Sequence, residues 1–329
     1  MVEALARRTL YGSSHRSQPR YGAHVRALLI VNPQATTTSR RMTDLVIHAF
    51  ADALHLEVAT TEYRGHGIVL GEQARAADLD VVITVGGDGI INEVVNGLIC
   101  QGPAPRTQLA TLPGGSANVF ARALGIPNDL VEAGAHLLEG IKQGRNRTIG
   151  LGRANDRWFT VNAGVGLDAE VIAAMEHKRR SGRKASPSRY LATMASTMIK
   201  SARNRVPQLT LTRGDLVIDE VYLSLVQNTT PWTYLGNWPI QMCPAADFNS
   251  GLDLFGLRKI DVPTALQSTK RLLVQRKPSA LSSVISWHDE QEFTVAALKP
   301  MAFQIDGEGM GEVSEVRFAS EPAALTVIV

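Results

Sequence analysis

The chain has 329 residues, which is long enough for two domains of ordinary size. Its composition, 44% hydrophobic and 20% charged, is typical of a soluble globular protein and excludes a wholly disordered chain. No apolar run approaches the ~20 residues of a membrane-spanning helix. The two cysteines, Cys100 and Cys243, are too few for a disulfide framework or a four-cysteine zinc site, which favours a reducing compartment.

The net charge of +3 is unevenly distributed. Residues 1–26 contain five arginines and one glutamate, a net charge of +4, so the rest of the chain carries −1. Because the body has no excess of basic residues, we do not expect it to bind nucleic acid. Residues 1–25 are predicted to form a flexible, weakly cationic tail without the apolar segment of a secretory signal.

Short apolar strands alternate with helical patterns over residues 26–148. The predicted strands are residues 25–31, 56–61, 81–85 and 109–112, and the predicted helices are residues 40–54, 66–77, 91–98 and 117–124. Continuous apolar strands separated by helices indicate a parallel sheet covered on both faces. This pattern predicts an α/β domain.

Residues 149–329 have a different, β-rich pattern. Strands are predicted at residues 158–163, 208–212, 216–227, 252–257, 292–297, 301–305, 316–318 and 325–329, with helices at residues 168–177, 188–204 and 263–274. This predicts a second, mostly antiparallel domain. Whether its last strand returns to the first domain stays open at this stage.

The most informative segment is VVITVGGDGIINEVVNGL, residues 81–98, in which a buried strand ends in a glycine turn and a helix follows directly. Ligands of parallel sheets bind at the carboxyl ends of strands, beside helix N-termini. Gly86, Gly87 and Gly89 let backbone N–H groups approach a phosphate. Asp88 would repel phosphate, so its natural role is to hold a divalent cation or a water bound to one. The structural alternative is a tight turn with Asp88 as N-cap.

A second turn of the same kind follows in TLPGGSANVFAR, residues 111–122, where Ser116 lies near the helix cap. Two such turns on neighbouring strands are expected to face the same crevice. The ends of two further predicted strands, at Asn32 and Thr61, would add polar groups to that edge.

The lysine distribution excludes two common kinase arrangements. The first lysine is Lys142, and no GxxxxGK[ST] sequence occurs, so neither a Walker lysine nor a protein-kinase strand lysine is available in the first domain. Triphosphate charge would have to be met by backbone N–H groups, a magnesium ion and an arginine. No GxGxxG opens a helix after the first strand, which disfavours a Rossmann dinucleotide site.

GGDGIINEVVNGL and LPGGSANVFARALGIP together resemble the catalytic domain of the diacylglycerol kinase family, which includes soluble bacterial diacylglycerol kinases and the sphingosine and ceramide kinases. The resemblance extends to Asn32-Pro33, Thr61-Glu62, Gly251-Leu252-Asp253 and Asp306-Gly307-Glu308, and covers about residues 26–329. It implies a nucleotide-binding α/β domain like those of NAD kinases and diacylglycerol kinases. It also implies a β-rich lipid-substrate domain, with nucleotide and acceptor meeting in the cleft between the two.

The resemblance implies a lipid kinase that transfers the γ-phosphate of Mg-ATP to a lipid hydroxyl, with diacylglycerol giving phosphatidate as the favoured reaction. Asp88 is implied to organise Mg²⁺, and Asp306 and Glu308 to include the proton acceptor for the lipid hydroxyl. Which of the two accepts the proton is open, with Glu308 preferred. Without the family, Asp306-Gly307 would be interpreted as a hairpin turn. The implied nucleotide contacts are Asn32, Thr61, Gly86, Gly87, Gly89, Asn92, Glu93, Gly115, Ser116 and Asn118.

Four positions differ from the family pattern. Ile90 replaces a threonine after GGDG, Val119 replaces an aspartate, and Gly150 stands where bacterial members often have an aspartate. The metal motif of the second domain, usually Asp-Asp-Gly, is Asn249-Ser250-Gly251, so a structural cation is not expected there. The carboxylates of Asp88, Asp306 and Glu308 are retained, which favours an active enzyme.

Two features bear on the substrate. The run of six cations over residues 178–189 suits anionic lipid, and a solvated loop is the alternative. Trp232, Tyr234 and Trp238 suit a lipid–water boundary, and packing against the β domain is the alternative. The expected setting is a cytoplasmic protein acting on lipid at the inner membrane surface, with a homodimer left open.

Three rival hypotheses remain. A sphingoid-base kinase is the nearest variant. An NAD kinase-like enzyme is disfavoured by the second glycine motif and because a soluble acceptor would not need Trp232 and Trp238 exposed. A catalytically weakened nucleotide- or lipid-binding relative is supported only by the departures at Ile90, Val119 and Gly150.

Overall fold

The computed structural model describes residues 9–10, 25–33, 39–166, 208–258 and 284–329. The predicted helices at residues 168–177, 188–204 and 263–274 and the cationic run at residues 178–189 lie outside these ranges, as does most of the predicted tail. Within the described ranges, no helix has the length and hydrophobicity needed to span a membrane.

The helices are α1 (Arg40–Ala51), α2 (His66–Ala76), α3 (Asp88–Leu98), α4 (Val119–Ala123) and α5 (Leu130–Gln143). The strands up to residue 166 are β1 (Thr9–Leu10), β2 (Arg26–Val31), β3 (His55–Thr60), β4 (Val81–Gly86), β5 (Gln108–Pro113), β6 (Asn146–Ala154), β7 (Arg157–Phe159) and β8 (Asn162–Gly166). The later strands are β9 (Leu209–Arg213), β10 (Leu216–Val221), β11 (Leu223–Gln227), β12 (Thr233–Leu235), β13 (Trp238–Ile240), β14 (Leu252–Leu257), β15 (Val284–Glu290), β16 (Glu292–Ile305) and β17 (Glu308–Ile328).

The chain divides into two compact units, one formed by Met1–Ile149 with Ala323–Val329 and the other by Gly150–Pro322. In the first unit, β3, β2, β4 and β5 form a parallel sheet in that order. The end of β17 adds a further parallel strand through the pair Val327 and Leu109. Strand β1 pairs antiparallel with β3 at the other edge.

The core of the first unit explains why its strands are continuous apolar runs. Every residue of β4 is buried, because β4 lies between β2 and β5 in the middle of the sheet. Helices α1 and α5 place Phe50 and Leu137 in the core cluster on one side of the sheet, together with Ile83 and Leu29 of the strands. Because a covered parallel sheet is buried on both faces, its strands are apolar and polar residues are expected at the strand ends.

The second unit is antiparallel. Strands β16, β8, β11, β14 and β15 follow one another across the sheet, and β9 pairs with both β16 and β10. Its core contains an aromatic cluster in which Phe293 stacks on Phe318 at 5.3 Å and meets Trp287 edge-on at 5.5 Å. A parallel α/β unit and a mostly antiparallel unit confirm the predicted fold class.

Several predicted elements have different bounds. Helix α3 begins at Asp88, three residues earlier than predicted, because the glycine turn is tight enough for the helix to start at once. The predicted strand over residues 216–227 is two strands, β10 and β11. The strands predicted over residues 292–297 and 301–305 are one strand, β16, whose register with β17 shifts between Ala296 and Met301.

Helix α5 is not among the predicted elements, although its sequence carries both capping signals. The Asp129 carboxylate accepts the N–H groups of Val131 and Glu132, at 2.9 and 3.0 Å. Gly144 ends the helix in the left-handed conformation, with φ 66°. An aspartate before and a glycine after an amphipathic run are the usual signals for a helix of this length.

The two cysteines should differ sharply in reactivity. Cys243 is buried in a cluster with Trp232 and Ile240, and burial, reinforced by the charge of Asp253, raises the pKa of its thiol. Cys100 is exposed. Because the thiolate is the reactive form, native protein at pH 8 should release one equivalent of chromophore from a thiol reagent and a second only in denaturant. Cys100→Ser should remove the native reaction, and a rapid second equivalent in native protein would contradict this assignment.

Candidate functional site

Strand β4 ends in a turn whose backbone must pass close to its neighbours. A Cβ atom at Gly86 would lie 2.5 Å from the Cγ2 atom of Ile90, so the strand can end here only in glycine. Gly87 follows as the N-cap of α3 in an extended conformation. The carboxyl end of the central strand therefore leads directly into the first turn of a helix, at Asp88 and Gly89.

The two glycine turns are in direct backbone contact. A Cβ atom at Gly115 would lie 2.6 Å from the Cα atom of Gly87, and one at Gly87 would lie 3.1 Å from the Cα atom of Gly115. The N–H of Gly114 also donates to the carbonyl of Gly86 at 2.8 Å. The predicted convergence of both turns on one edge is thus observed, and neither side of the contact has space for a side chain.

Asp88 connects the first turn to the second. Its two carboxylate oxygens accept the N–H groups of Val119 and Phe120 at 3.1 and 2.9 Å. These are the first two residues of α4, so Asp88 caps a helix 31 residues further along the chain instead of its own helix. The charged carboxylate is held in place beside the glycines, half-buried.

Asn118 shapes the second turn. It adopts a left-handed conformation, with φ 49° and ψ 47°, which asparagine tolerates better than most residues. Its side-chain oxygen accepts the N–H of Gly115 at 2.7 Å, and its amide nitrogen donates to the carbonyl of Gly115 and to Asn128. Asn118 is buried, whereas Ser116 at the tip of the turn is exposed.

The other two strand ends lie at the same edge. The N–H of Asn32 donates to the carbonyl of Val85 at 3.1 Å, so the residue after β2 lies beside the end of β4. The N–H of Thr61 donates to the carbonyl of Val31 at 2.9 Å, which places Thr61 next along the edge. The polar residues that follow four parallel strands therefore lie along one edge of the sheet.

Glu93 has a structural partner that the sequence did not reveal. Its carboxylate accepts the N–H groups of Gly65 and Gly67, at 2.8 and 2.9 Å, and so caps the start of α2. The side chain is buried. Asn92, also buried, accepts a hydrogen bond from Asn96 within α3. Glu93 thus ties the loop after β3 to the helix that begins at the glycine turn.

Two of the departures from the family pattern have a steric explanation. Ile90 is buried, and its side chain packs where Cβ atoms at Gly86 and Gly67 would otherwise lie. It fills space instead of offering a hydroxyl. A Cβ atom at Gly150 would lie 2.8 Å from the carbonyl oxygen of Phe248, so an aspartate does not fit there without a backbone shift.

In the second unit, Asp306 is held by four hydrogen bonds. One oxygen accepts the N–H and the hydroxyl of Thr160 at 2.8 and 2.9 Å, and the other accepts the N–H groups of Val161 and Asn162 at 2.9 and 3.0 Å. The residue is buried and has φ 46°. This bonding leaves Asp306 suited to fixing the backbone and poorly suited to accepting a proton from a substrate.

Glu308 follows directly after the turn that Asp306 fixes. Asp306 and Gly307, with φ values of 46° and 80°, form a two-residue hairpin in which Ile305 pairs with Glu308. The buried side chain of Gln304 supports the turn, accepting the N–H of Gly307 at 3.0 Å. A hairpin turn at Asp306-Gly307 is therefore compatible with the implied catalytic role of Glu308. Glu308 is half-exposed at the start of β17.

The loop that corresponds to the family's second metal motif is closed by its own hydrogen bonds. The Ser250 hydroxyl donates to the carbonyls of Asp247 and Gly251, at 2.9 and 3.2 Å. The Asp247 carboxylate accepts from the backbone and side chain of Asn249. Asp247 is the one carboxylate of residues 247–251, and it is engaged within the loop.

The aromatic residues of the second unit correct one expectation. Trp232 is 7% exposed and packs with Leu225 and Phe255, because its backbone N–H pairs with Ile240 and draws the ring under the sheet. Trp238 and Tyr234, on the short hairpin of β12 and β13, are half-buried. Trp232 is therefore a core residue and not part of an exposed aromatic surface.

Comparison with known proteins agrees with this geometry. The sequence model of the diacylglycerol kinase catalytic domain matches residues 26–154. Residues 26–154 are thus similar to the diacylglycerol kinase catalytic domain. Diacylglycerol kinases of Staphylococcus aureus strains Newman and USA300 are 36% identical to the chain over 158 residues, which is 47% of this chain and 48% of theirs. The chain thus matches about half the length of these relatives.

Solved structures extend the likeness in fold to most of the chain. A diacylglycerol kinase from Bacillus anthracis strain Sterne superposes with a TM-score of 0.66 at 20% identity, covering 92% of this chain and 96% of that one. Another solved protein of that strain gives a TM-score of 0.71 at 22% identity. At such identities the likeness shows that this chain shares the fold of these proteins.

The residues of this domain fit a nucleotide with a divalent cation. The two glycine turns meet at the carboxyl ends of β4 and β5, beside the start of α3, and parallel sheets bind phosphate at such an edge; we call this edge the phosphate cradle. Asp88 supplies a carboxylate beside the two turns, the hard oxygen ligand that Mg²⁺ prefers. Asp88 would hold the cation or its water shell, and the cation would neutralise phosphate charge.

Gly115→Ala tests whether the contact between the turns matters. Its Cβ atom would force the two backbones apart, since the nearest atom lies at 2.6 Å. We expect the variant to lose about 1–3 kcal/mol of unfolding free energy and at least tenfold in ATP affinity, measured by denaturation and calorimetric titration. The control is Gly134→Ala in α5, where the nearest atoms lie at 3.4 Å. ATP affinity unchanged in Gly115→Ala would contradict the cradle.

Proposed function

We propose that this chain is an ATP-dependent lipid kinase that transfers the γ-phosphate of Mg-ATP to a lipid hydroxyl, with diacylglycerol giving phosphatidate as the favoured reaction. The observation that carries the proposal is the backbone contact of Gly87 and Gly115, in a domain whose sequence matches the diacylglycerol kinase catalytic domain. Glycine turns at strand ends suit a triphosphate because the backbone can approach its oxygens without a side chain in the way, here beside the N-terminus of α3.

The role proposed for each carboxylate follows from its hydrogen bonds and its exposure. Asp88 would position the cation, because it is held beside the glycines in its charged form by Val119 and Phe120. Glu308 would accept the proton of the lipid hydroxyl, since it is half-exposed. Asp306 would act as a positioning residue for Glu308, because its oxygens already accept four hydrogen bonds.

The proposed reaction is an in-line transfer. A bond forms between the lipid oxygen and the γ-phosphorus while the bond from that phosphorus to the β–γ bridging oxygen breaks. The hydroxyl proton goes to Glu308, and ADP leaves with the bridging oxygen. A carboxylate base of this kind contributes about 10²–10⁴ to the rate, and the remainder would come from positioning and charge neutralisation at the glycine turns.

The acceptor is proposed to be a lipid. A lipid acceptor would place the protein at the inner membrane surface, and the half-buried Trp238 and Tyr234 are the described aromatic residues that suit such a boundary. Trp232 lies in the core. The features that favour a lipid over a soluble acceptor are therefore the second glycine motif and Trp238. The test must therefore include a soluble acceptor.

The deciding experiment offers the purified protein three acceptors in parallel with γ-labelled Mg-ATP: micellar diacylglycerol, micellar sphingosine and NAD. Label in phosphatidate, and its loss when Mg²⁺ is chelated, is the expected result. Label in sphingosine phosphate would keep the lipid kinase and change its acceptor. Label in NADP, or in no product while ATP binds, would refute the lipid kinase.

A further inference from the structure

Next to the glycine turns lies an aromatic stack that the proposed reaction does not use. The rings of Tyr63 and His66 lie parallel, with 4.6 Å between centroids and 8° between planes. Tyr63 follows Thr61 by two residues, at the edge where the parallel strands end. Its side chain is 58% exposed, so the face turned away from His66 is open to solvent.

The inner ring of the stack is fixed. His66 is 6% exposed, and its Nδ1 atom accepts the N–H of Glu62 at 3.2 Å. Because a backbone N–H can only donate, Nδ1 is the unprotonated nitrogen of this imidazole. Rotation of the ring would break this part-buried hydrogen bond, so His66 offers Tyr63 a defined face to stack on.

The loop that carries the stack is tied to the helix of the glycine turn. The N–H groups of Gly65 and Gly67 both donate to the carboxylate of Glu93, and Glu93 lies one turn of α3 beyond Gly89, about 6 Å along the helix axis. A Cβ atom at Gly67 would also touch Ile90. The loop that carries the exposed ring is therefore anchored to the helix that begins at the first glycine turn.

We infer that Tyr63 is the stacking platform for the purine base of the nucleotide, held by His66. This inference rests on the proposed function. It adds one residue, which binds the base, to the residues proposed to bind the phosphates. An exposed aromatic ring can stack on any purine, because stacking does not depend on the hydrogen-bonding groups of the base. Adenine and guanine nucleotides should therefore both depend on Tyr63.

The test is calorimetric titration of wild type, Tyr63→Ala and Tyr63→Phe with a non-hydrolysable ATP analogue and with inorganic tripolyphosphate, both with Mg²⁺. Stacking of one base is worth about 5- to 150-fold in affinity. We expect Tyr63→Ala to lose that much for the ATP analogue and less than about twofold for tripolyphosphate, by the same principle. Tyr63→Phe keeps the ring and should match the wild type.

The outcomes separate this inference from the proposed function. Equal ATP affinity in Tyr63→Ala and wild type overturns the platform and leaves the kinase standing. An equal loss for tripolyphosphate also overturns it, because Tyr63 would then shape the phosphate cradle. A wild type that binds neither compound overturns both proposals. Melting temperatures of the three proteins are compared first, and they should agree because Tyr63 is exposed.

Discussion

Glu308→Gln should reduce turnover about 10²- to 10⁴-fold while leaving ATP affinity and folding stability at wild-type values. Glutamine has the size of glutamate and cannot take up the hydroxyl proton. The side chain is half-exposed, so the free energy of unfolding should change by less than about 0.5 kcal/mol. Steady-state assays with saturating diacylglycerol, urea unfolding and ATP titration measure the three quantities.

Asp306→Asn is the matched variant. We expect it to lower folding stability, which Glu308→Gln should leave unchanged. An asparagine can accept only two of the four hydrogen bonds from Thr160, Val161 and Asn162, and its amide group would face buried N–H donors. We expect a loss of about 2–5 kcal/mol in unfolding free energy, with turnover lost as the hairpin loosens. Full stability of Asp306→Asn together with normal turnover of Glu308→Gln would contradict the division of roles.

Asp88→Asn should lower turnover about 10²- to 10³-fold, because the cation would lose its charged ligand beside the phosphates. The stability loss should be modest, about 0.5–2 kcal/mol, since asparagine can still accept one of the N–H groups of Val119 and Phe120. Activity assays well below the melting temperature separate the two effects.

Asp129→Asn provides the control for Asp88. Asp129 also caps a helix through two N–H groups, at the exposed start of α5. Because asparagine caps helices about as well as aspartate, Asp129→Asn should lose no more stability than Asp88→Asn and keep its turnover. If both variants lost turnover equally, the effect of Asp88 would be structural, and its assignment to the cation would be wrong.

The sequence was sufficient to predict the glycine turns, because the requirement is local. An apolar strand, three glycines and a helix within one short segment specify a turn open to phosphate, and the family resemblance strengthened that interpretation. The position of both glycine turns at one edge also followed, since neighbouring parallel strands end at the same edge, whereas the direct contact of Gly87 with Gly115 is visible only in the structure. The fold class was predictable for the same reason, from continuous apolar strands alternating with helices.

Partnerships between distant residues could not be predicted. Asp88 lies 31 residues before the N–H groups it accepts, Glu93 lies 28 residues after Gly65, and Asp306 lies about 145 residues after its donors. No periodicity or spacing encodes such pairs, because they depend on where the fold brings helix starts and strand ends. The sequence left Trp232 open between a lipid boundary and packing on the β domain for the same reason, because its burial accompanies a backbone bond to Ile240.

The most direct test of the account is the stoichiometry of one reaction. Wild-type protein is incubated with γ-labelled Mg-ATP and excess micellar diacylglycerol, and ADP, free phosphate and lipid-bound label are quantified over time. The account predicts one labelled phosphatidate for each ADP formed, with free phosphate at background. ADP formed with free phosphate and no labelled lipid would show that the chain hydrolyses ATP without using a lipid acceptor, and would contradict the account.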